Sequence, residues 1–187
     1  LVSNITNKNI ENGWNIAEKK NNYQLLIHKR KKIKLKLQSF GSFNESEKLI
    51  FTFYRLKNKP VMELRSNKNC KIKSARMLIY NNKDIPIKIN SIDMSNYNII
   101  ETKFLNPDLP IINNESDKNI IGLIDTGINY TIKKFEKNIE TKNKKIIGYD
   151  FWDNDNKPFD SDPRQNPFYP RHHGTTVFSV LSKEAPE

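Results

Sequence analysis

At 187 residues the chain has the length for one domain or two small ones, and no apolar run approaches the roughly 18–20 residues that a membrane-crossing helix needs. Lys and Arg number 32 against 21 Asp and Glu, a formal charge of +11, but Lys recurs with Asn and Ile from end to end, Arg is sparse and no glycine-aromatic RNA-binding signature is present, so nucleic acid is not expected as a partner. The single cysteine, Cys70, excludes an internal disulfide framework, and no metal-ligand spacing surrounds it.

Residues 1–22 are polar and weakly patterned, and they read as a disordered or adapting lead-in. Residues 23–104 read as a β-rich domain. Tyr23, Leu25 and Ile27 stand two apart, as do Ile33, Leu35 and Leu37, with Lys34 and Lys36 between the latter. Period two marks a strand with one dry and one wet face, and it assigns these lysines to the wet one. A turn is expected around Gly41, then strands over Leu49–Leu56, Pro60–Arg65 and Lys71–Tyr80. Asn81-Asn82-Lys83-Asp84 is a turn signal, and Ile85–Ile92 alternates across Pro86, which favours an edge strand.

Residues 105–117, with Pro107, Pro110, Asn113 and Asn114, read as a linker. From 118 to 187 the pattern changes. Asn119–Ile124 is a short apolar run suited to a buried parallel strand. Thr131–Ile139 can form a short helix with Ile132, Phe135 and Ile139 on one face. Lys145–Phe151 is a second strand, Trp152–Arg171 an acidic loop, and His173–Leu181 a helix. Strand, helix, strand, loop, helix predicts the start of an α/β domain with a parallel sheet.

Two motifs carry the chemistry. Asp125-Thr126-Gly127 leaves the end of the first apolar run, and His172-His173-Gly174-Thr175 opens the last helix. A histidine oriented by a carboxylate is two thirds of a hydrolytic triad, in which the carboxylate fixes the tautomer and stabilises the imidazolium. Adjacent His172 and His173 point in different directions at a helix start, so joint metal ligation is not expected. Ser179 and Ser182 lie on the histidine's own helix and read as structural.

With these residues in hand, Asn119–Ile128 resembles the aspartate motif of subtilisin-like serine proteases (the subtilases, peptidase family S8), and His173-Gly174-Thr175 with Val177 resembles their histidine motif. Gly148–Pro158 is similar to the segment that often precedes that histidine, and Ala185-Pro186 to the stretch that usually follows it. The resemblance covers residues 117–187. It implies a subtilisin-like parallel-sheet catalytic domain and a serine endopeptidase acting on protein or peptide substrates. Asp125 would be the orienting carboxylate and His173 the general base, then acid. The order Asp, His, Ser places the nucleophile beyond Glu187, so this chain alone is expected to be inactive. One departure is Thr176, where the family often has a second histidine.

No cofactor is required for such chemistry. The acidic loop holds Asp153, Asp155, Asp160 and Asp162, and hard oxygen ligands suit a structural calcium ion, with Asp153 and Asp155 as its ligands. The spacing is no EF-hand, so the loop reads first as solvated, with the calcium site as the alternative. The resemblance also places a pro-segment ahead of a catalytic domain, a position that residues 23–100 occupy; an attached accessory domain is the alternative. Secretion or another extracytoplasmic location follows from the family alone, since no signal peptide is visible. The contrasting functional reading is a non-catalytic subtilase-like binding protein that has lost its serine.

Overall fold

The computed structural model describes residues 13–28, 30–40, 48–55, 58–69, 71–114, 119–164 and 166–184. Gly41, Cys70 and Ala185-Pro186-Glu187 lie outside the described residues, as do residues 1–12 of the expected lead-in, 115–117 at the end of the expected linker, and 118. The chain divides into two units, Leu1–Lys103 and Phe104–Glu187.

The first unit is one antiparallel sheet of eight strands in sequence order: β1 (Trp14–Lys20), β2 (Tyr23–His28), β3 (Ile33–Ser39), β4 (Lys48–Tyr54), β5 (Pro60–Asn67), β6 (Ile72–Tyr80), β7 (Pro86–Ile92) and β8 (Ile99–Phe104). Asparagine and aspartate make its corners. Asn67 Oδ1 accepts from the amides of Asn69 and Lys71, and Asn81 Oδ1 from those of Lys83 and Ile85. Asp93 Oδ1 does the same for Ser95, while Asn58 and Asp84 take left-handed backbone angles. Short side chains of this type satisfy turn amides and tolerate positive φ, so an Asn-rich chain supplies tight connections.

Register decides which residues share a face. Leu26 pairs with Leu35, Leu35 with Phe53, and Leu37 with Phe51. The core of Leu26, Leu35, Leu37, Leu49 and Phe51, flanked by Trp14, Phe53 and Leu64, therefore lies on one face. In β6 and β7 both faces carry buried residues, because Leu78 and Ile89 point opposite to Ala75 and Asn90. Glu63 is buried on the face opposite the main core, held by Arg65 at 2.7 Å and set opposite Arg76.

Three expectations change here. β1 forms inside the expected lead-in, as an edge strand whose Glu18, Lys19 and Lys20 are exposed. The buried residues of β2 are Gln24, Leu26 and His28 rather than Tyr23, Leu25 and Ile27. Pairing of Leu25 with Lys36 and of Ile27 with Lys34 puts the apolar triplet on the half-exposed lysine face, where Lys36 Nζ lies 5.5 Å from the Tyr23 ring. Pro86 starts β7, which pairs on both sides, so it marks a strand beginning rather than a sheet edge.

The second unit holds a short 3-10 helix (Lys133–Asn138), a two-stranded ribbon of β9 (Thr141–Lys142) and β10 (Lys145–Ile146), and helix α1 (His173–Glu184). Tyr130, Phe135, Ile139 and Phe159 form its core, with Leu109, Ile128, Ile132, Ile146 and Phe178 packed on them. Leu105 and Ile112 of the expected linker are buried, and Asn114 Nδ2 donates to the carbonyls of Lys137 and Ile139.

The expected α/β architecture with a parallel sheet is overturned: the structure is mostly antiparallel β-sheet. Asn119–Ile124 is not assigned to a strand, and Ile124 is 99 % exposed. The strand expected over Lys145–Phe151 reduces to Lys145–Ile146, which pairs antiparallel with Thr141–Lys142. Asn143 and Lys144 both have left-handed φ, +52° and +61°, the turn that closes a two-residue hairpin. That local partner captures β10 without any crossover to residues 119–124.

Candidate active site

The backbone between Asp125 and Tyr130 is clipped to the loop at Pro158–Asp160. Ile128 N donates to the Pro158 carbonyl at 2.8 Å, and Asp160 N to the Ile128 carbonyl at 3.3 Å. Gly127 makes this approach possible. Its φ is +104°, and a Cβ there would meet the Pro158 carbonyl oxygen at 2.7 Å. Gly174 serves the facing side, because a Cβ on it would overlap the Gly127 carbonyl oxygen.

These contacts bring together the two residues singled out by sequence. His173 Nδ1 lies 2.8 Å from Asp125 Oδ1 and 3.0 Å from Oδ2. A carboxylate can only accept, so Nδ1 carries the proton and Nε2 is left as the acceptor. The Asp125 side chain keeps 14 % of its exposure although its backbone is open, whereas the imidazole is 68 % exposed. The hydrogen bond from His173, aided by the Thr126 amide at 2.6 Å, holds the Asp125 carboxyl below its ordinary range. The bond to Asp125, and then its negative charge, raises the His173 imidazole above its ordinary value. Such an imidazole can take a proton from a nucleophile at Nε2 and return it to a leaving group.

The residues flanking the pair are also tied down. Thr126 Oγ1 donates to Asp160 Oδ1 at 2.7 Å and accepts from Gly174 N at 2.9 Å. Thr175 N donates to Asp160 Oδ2 at 2.7 Å, and His172 Nδ1 donates to the Asp160 carbonyl at 2.7 Å. Thr175 Oγ1 accepts from Asn129 N, and Thr176 Oγ1 donates to the His172 carbonyl. Sequence reading placed Asp160 among the solvated acids, yet it is fully buried. The available signal was its position directly after Pro158-Phe159, an apolar interruption of a polar loop.

The remaining acids serve the loop itself. Asp155 accepts from Lys157 N at Oδ1 and from Asn106 Nδ2 at Oδ2, and Asp150 Oδ1 accepts from the amides of Trp152 and Asp153. Burial, then the nearby charges of Asp150 and Asp155, push the Asp153 carboxyl up. Asp162 is held down to about 2 by its bonds to Arg164. Among the described residues no group of three or more His, Cys, Asp or Glu side chains is placed to hold a metal ion. Ser182 Oγ donates to the Ser179 carbonyl on α1, and among the described residues no serine hydrogen-bonds the His173 ring. No described helix is long and apolar enough to cross a membrane.

Comparison of the chain with family models, curated proteins and solved structures found no match.

Proposed function

We propose that Asp125 and His173 are the orienting carboxylate and the general base of a serine-type endopeptidase acting on protein or peptide substrates. The observation that carries this reading is the contact of His173 Nδ1 with both Asp125 oxygens at 2.8 and 3.0 Å, which leaves Nε2 as the acceptor. The resemblance of Asn119–Ile128 and His173–Thr175 to subtilase motifs supports it, although among the described residues no parallel sheet accompanies those motifs. In this reading a serine outside the 187 residues attacks the scissile carbonyl while His173 takes its proton. His173 then returns that proton to the leaving amine, and water completes the cycle through the acyl-enzyme.

A fluorophosphonate probe tests the proposal. The 187-residue chain is expected to remain unlabelled. Protein extended to carry a Gly-Thr-Ser segment is expected to label on one serine, about 10⁴-fold more slowly after Asp125→Asn. Labelling at an undiminished rate in both Asp125→Asn and His173→Ala would refute the assigned roles.

A further inference from the structure

We propose that Asp160 is the positioning residue of the Asp125–His173 pair, acting through Thr126 on one side and through the first turn of α1 on the other. This assignment rests on the functional reading above only for the word positioning; the contacts stand independently. The two members of the pair lie 48 positions apart, Asp125 on irregular backbone and His173 at the start of α1, so something must fix the distance between them. The residue after Asp125 donates its hydroxyl to Asp160, and that same hydroxyl accepts the amide of the residue after His173. The residue before His173 donates its ring to the Asp160 carbonyl, and Thr175 donates its amide to the second carboxylate oxygen. Asp160 N completes the set on Ile128. Neighbours on both sides of the histidine, and the residue following the aspartate, thus converge on one buried side chain and its backbone.

Physical chemistry favours an acid at this place. The first amides of a helix have no partner within it, and their summed dipole favours a negative group. Asp160 meets the Thr175 amide from a loop rather than from the residue preceding the helix. Its second oxygen is left for Thr126, and a neutral amide side chain there cannot accept with both of its terminal atoms. A helix cap alone would use one oxygen. The second oxygen, directed to the residue beside Asp125, is what distinguishes a positioning role.

Nuclear magnetic resonance of the 187-residue chain tests this without any catalytic assay. The readouts are the His173 Nδ1–H resonance and the midpoint of the imidazole titration. Thr126→Val removes the bridging hydroxyl while preserving shape, and Asp160→Asn removes one acceptor. Both are expected to lose the Nδ1–H signal and to bring the midpoint to about 6.5, that of a free imidazole. Thr126→Ser is expected to retain both signals. Tyr130→Phe, which deletes only the bond to the Pro107 carbonyl in the same unit, is expected to lower the melting temperature with the pair intact. If Asp160→Asn does not fold, Thr126→Val decides, because it leaves the carboxylate and its bond to Thr175 in place. Retention of the Nδ1–H signal and a raised midpoint in Thr126→Val would overturn the proposal, as would their equal loss in Tyr130→Phe. Failure of fluorophosphonate labelling in the extended protein would count against the peptidase and leave these resonances unaffected.

Discussion

His173 and Asp125 move in opposite directions from their ordinary values of 6.5 and 3.8, and the consequences for pH follow from those signs. A raised imidazole stabilises the fold fully below 6.5, and this contribution is lost as pH rises through the native midpoint. A lowered carboxyl stabilises above 3.8, and is lost as pH falls through its native value. Both contributions are therefore complete between those values. Titration of the His173 ring by proton resonance should give a midpoint above 6.5, and Asp125→Asn should lower it; an unchanged midpoint would show the bond absent in solution. Any base catalysis needs the neutral ring, so a reaction using His173 should accelerate as pH rises through that same midpoint. Gly174 gives a steric prediction at the same scale. Gly174→Ala would drive a methyl group into the Gly127 carbonyl and to 3.2 Å from Asp125 Oδ1. Backbone on the facing side cannot swing away as a flexible side chain would. The expected cost is roughly 3 kcal/mol or more by denaturant unfolding of the second unit, with loss of the His173 Nδ1–H resonance.

Among the elements, the β-meander was the most legible. Alternation located β2, β3 and β7, aromatic and β-branched content located β4, and the Asn81–Asp84 turn separated β6 from β7, because period two, composition and turn chemistry are all local properties. The face of β2 was not legible. Tyr23, Leu25 and Ile27 outrank Gln24, Leu26 and His28 in apolarity, yet registry with β3 places the second set inward. Leu37 is fully buried, so Leu37→Ala should cost about 2–5 kcal/mol in chemical unfolding, whereas Leu25→Ala should cost less. In the second unit the Asp and His motifs were legible as short strings, and the structure places their side chains together. Asp160 was not, since its burial depends on a loop closing over residues 34 positions upstream. The apolar run at Asn119–Ile124 misled for a related reason. Hydrophobic sequence states that a segment could be buried and cannot supply the neighbour that would bury it. Phe135 does have such neighbours, packing edge-on to Phe178 of α1, and Phe135→Ala should destabilise this unit by about 3–5 kcal/mol.

Across the whole molecule, charge is unevenly divided. The sheet unit holds 21 of the 32 Lys and Arg but only 8 of the 21 Asp and Glu. Like charges at this density repel one another, and salt screens them over about 10 Å at 0.1 M. Hydrogen-exchange protection of the β2–β4 amides should therefore rise when ionic strength is increased from roughly 0.01 M to 0.15 M. An unchanged or falling protection would mean that lysine repulsion does not limit the sheet. The order of that sheet has a further consequence, for the way the chain finds it. Every strand from β1 to β8 lies beside the strand that precedes or follows it in sequence. Each closure spans only a short stretch of chain, so the entropy of joining distant segments is never incurred at once. One formed hairpin can template the next, and the sheet can grow by successive addition in either direction, at a rate favoured by its local connectivity.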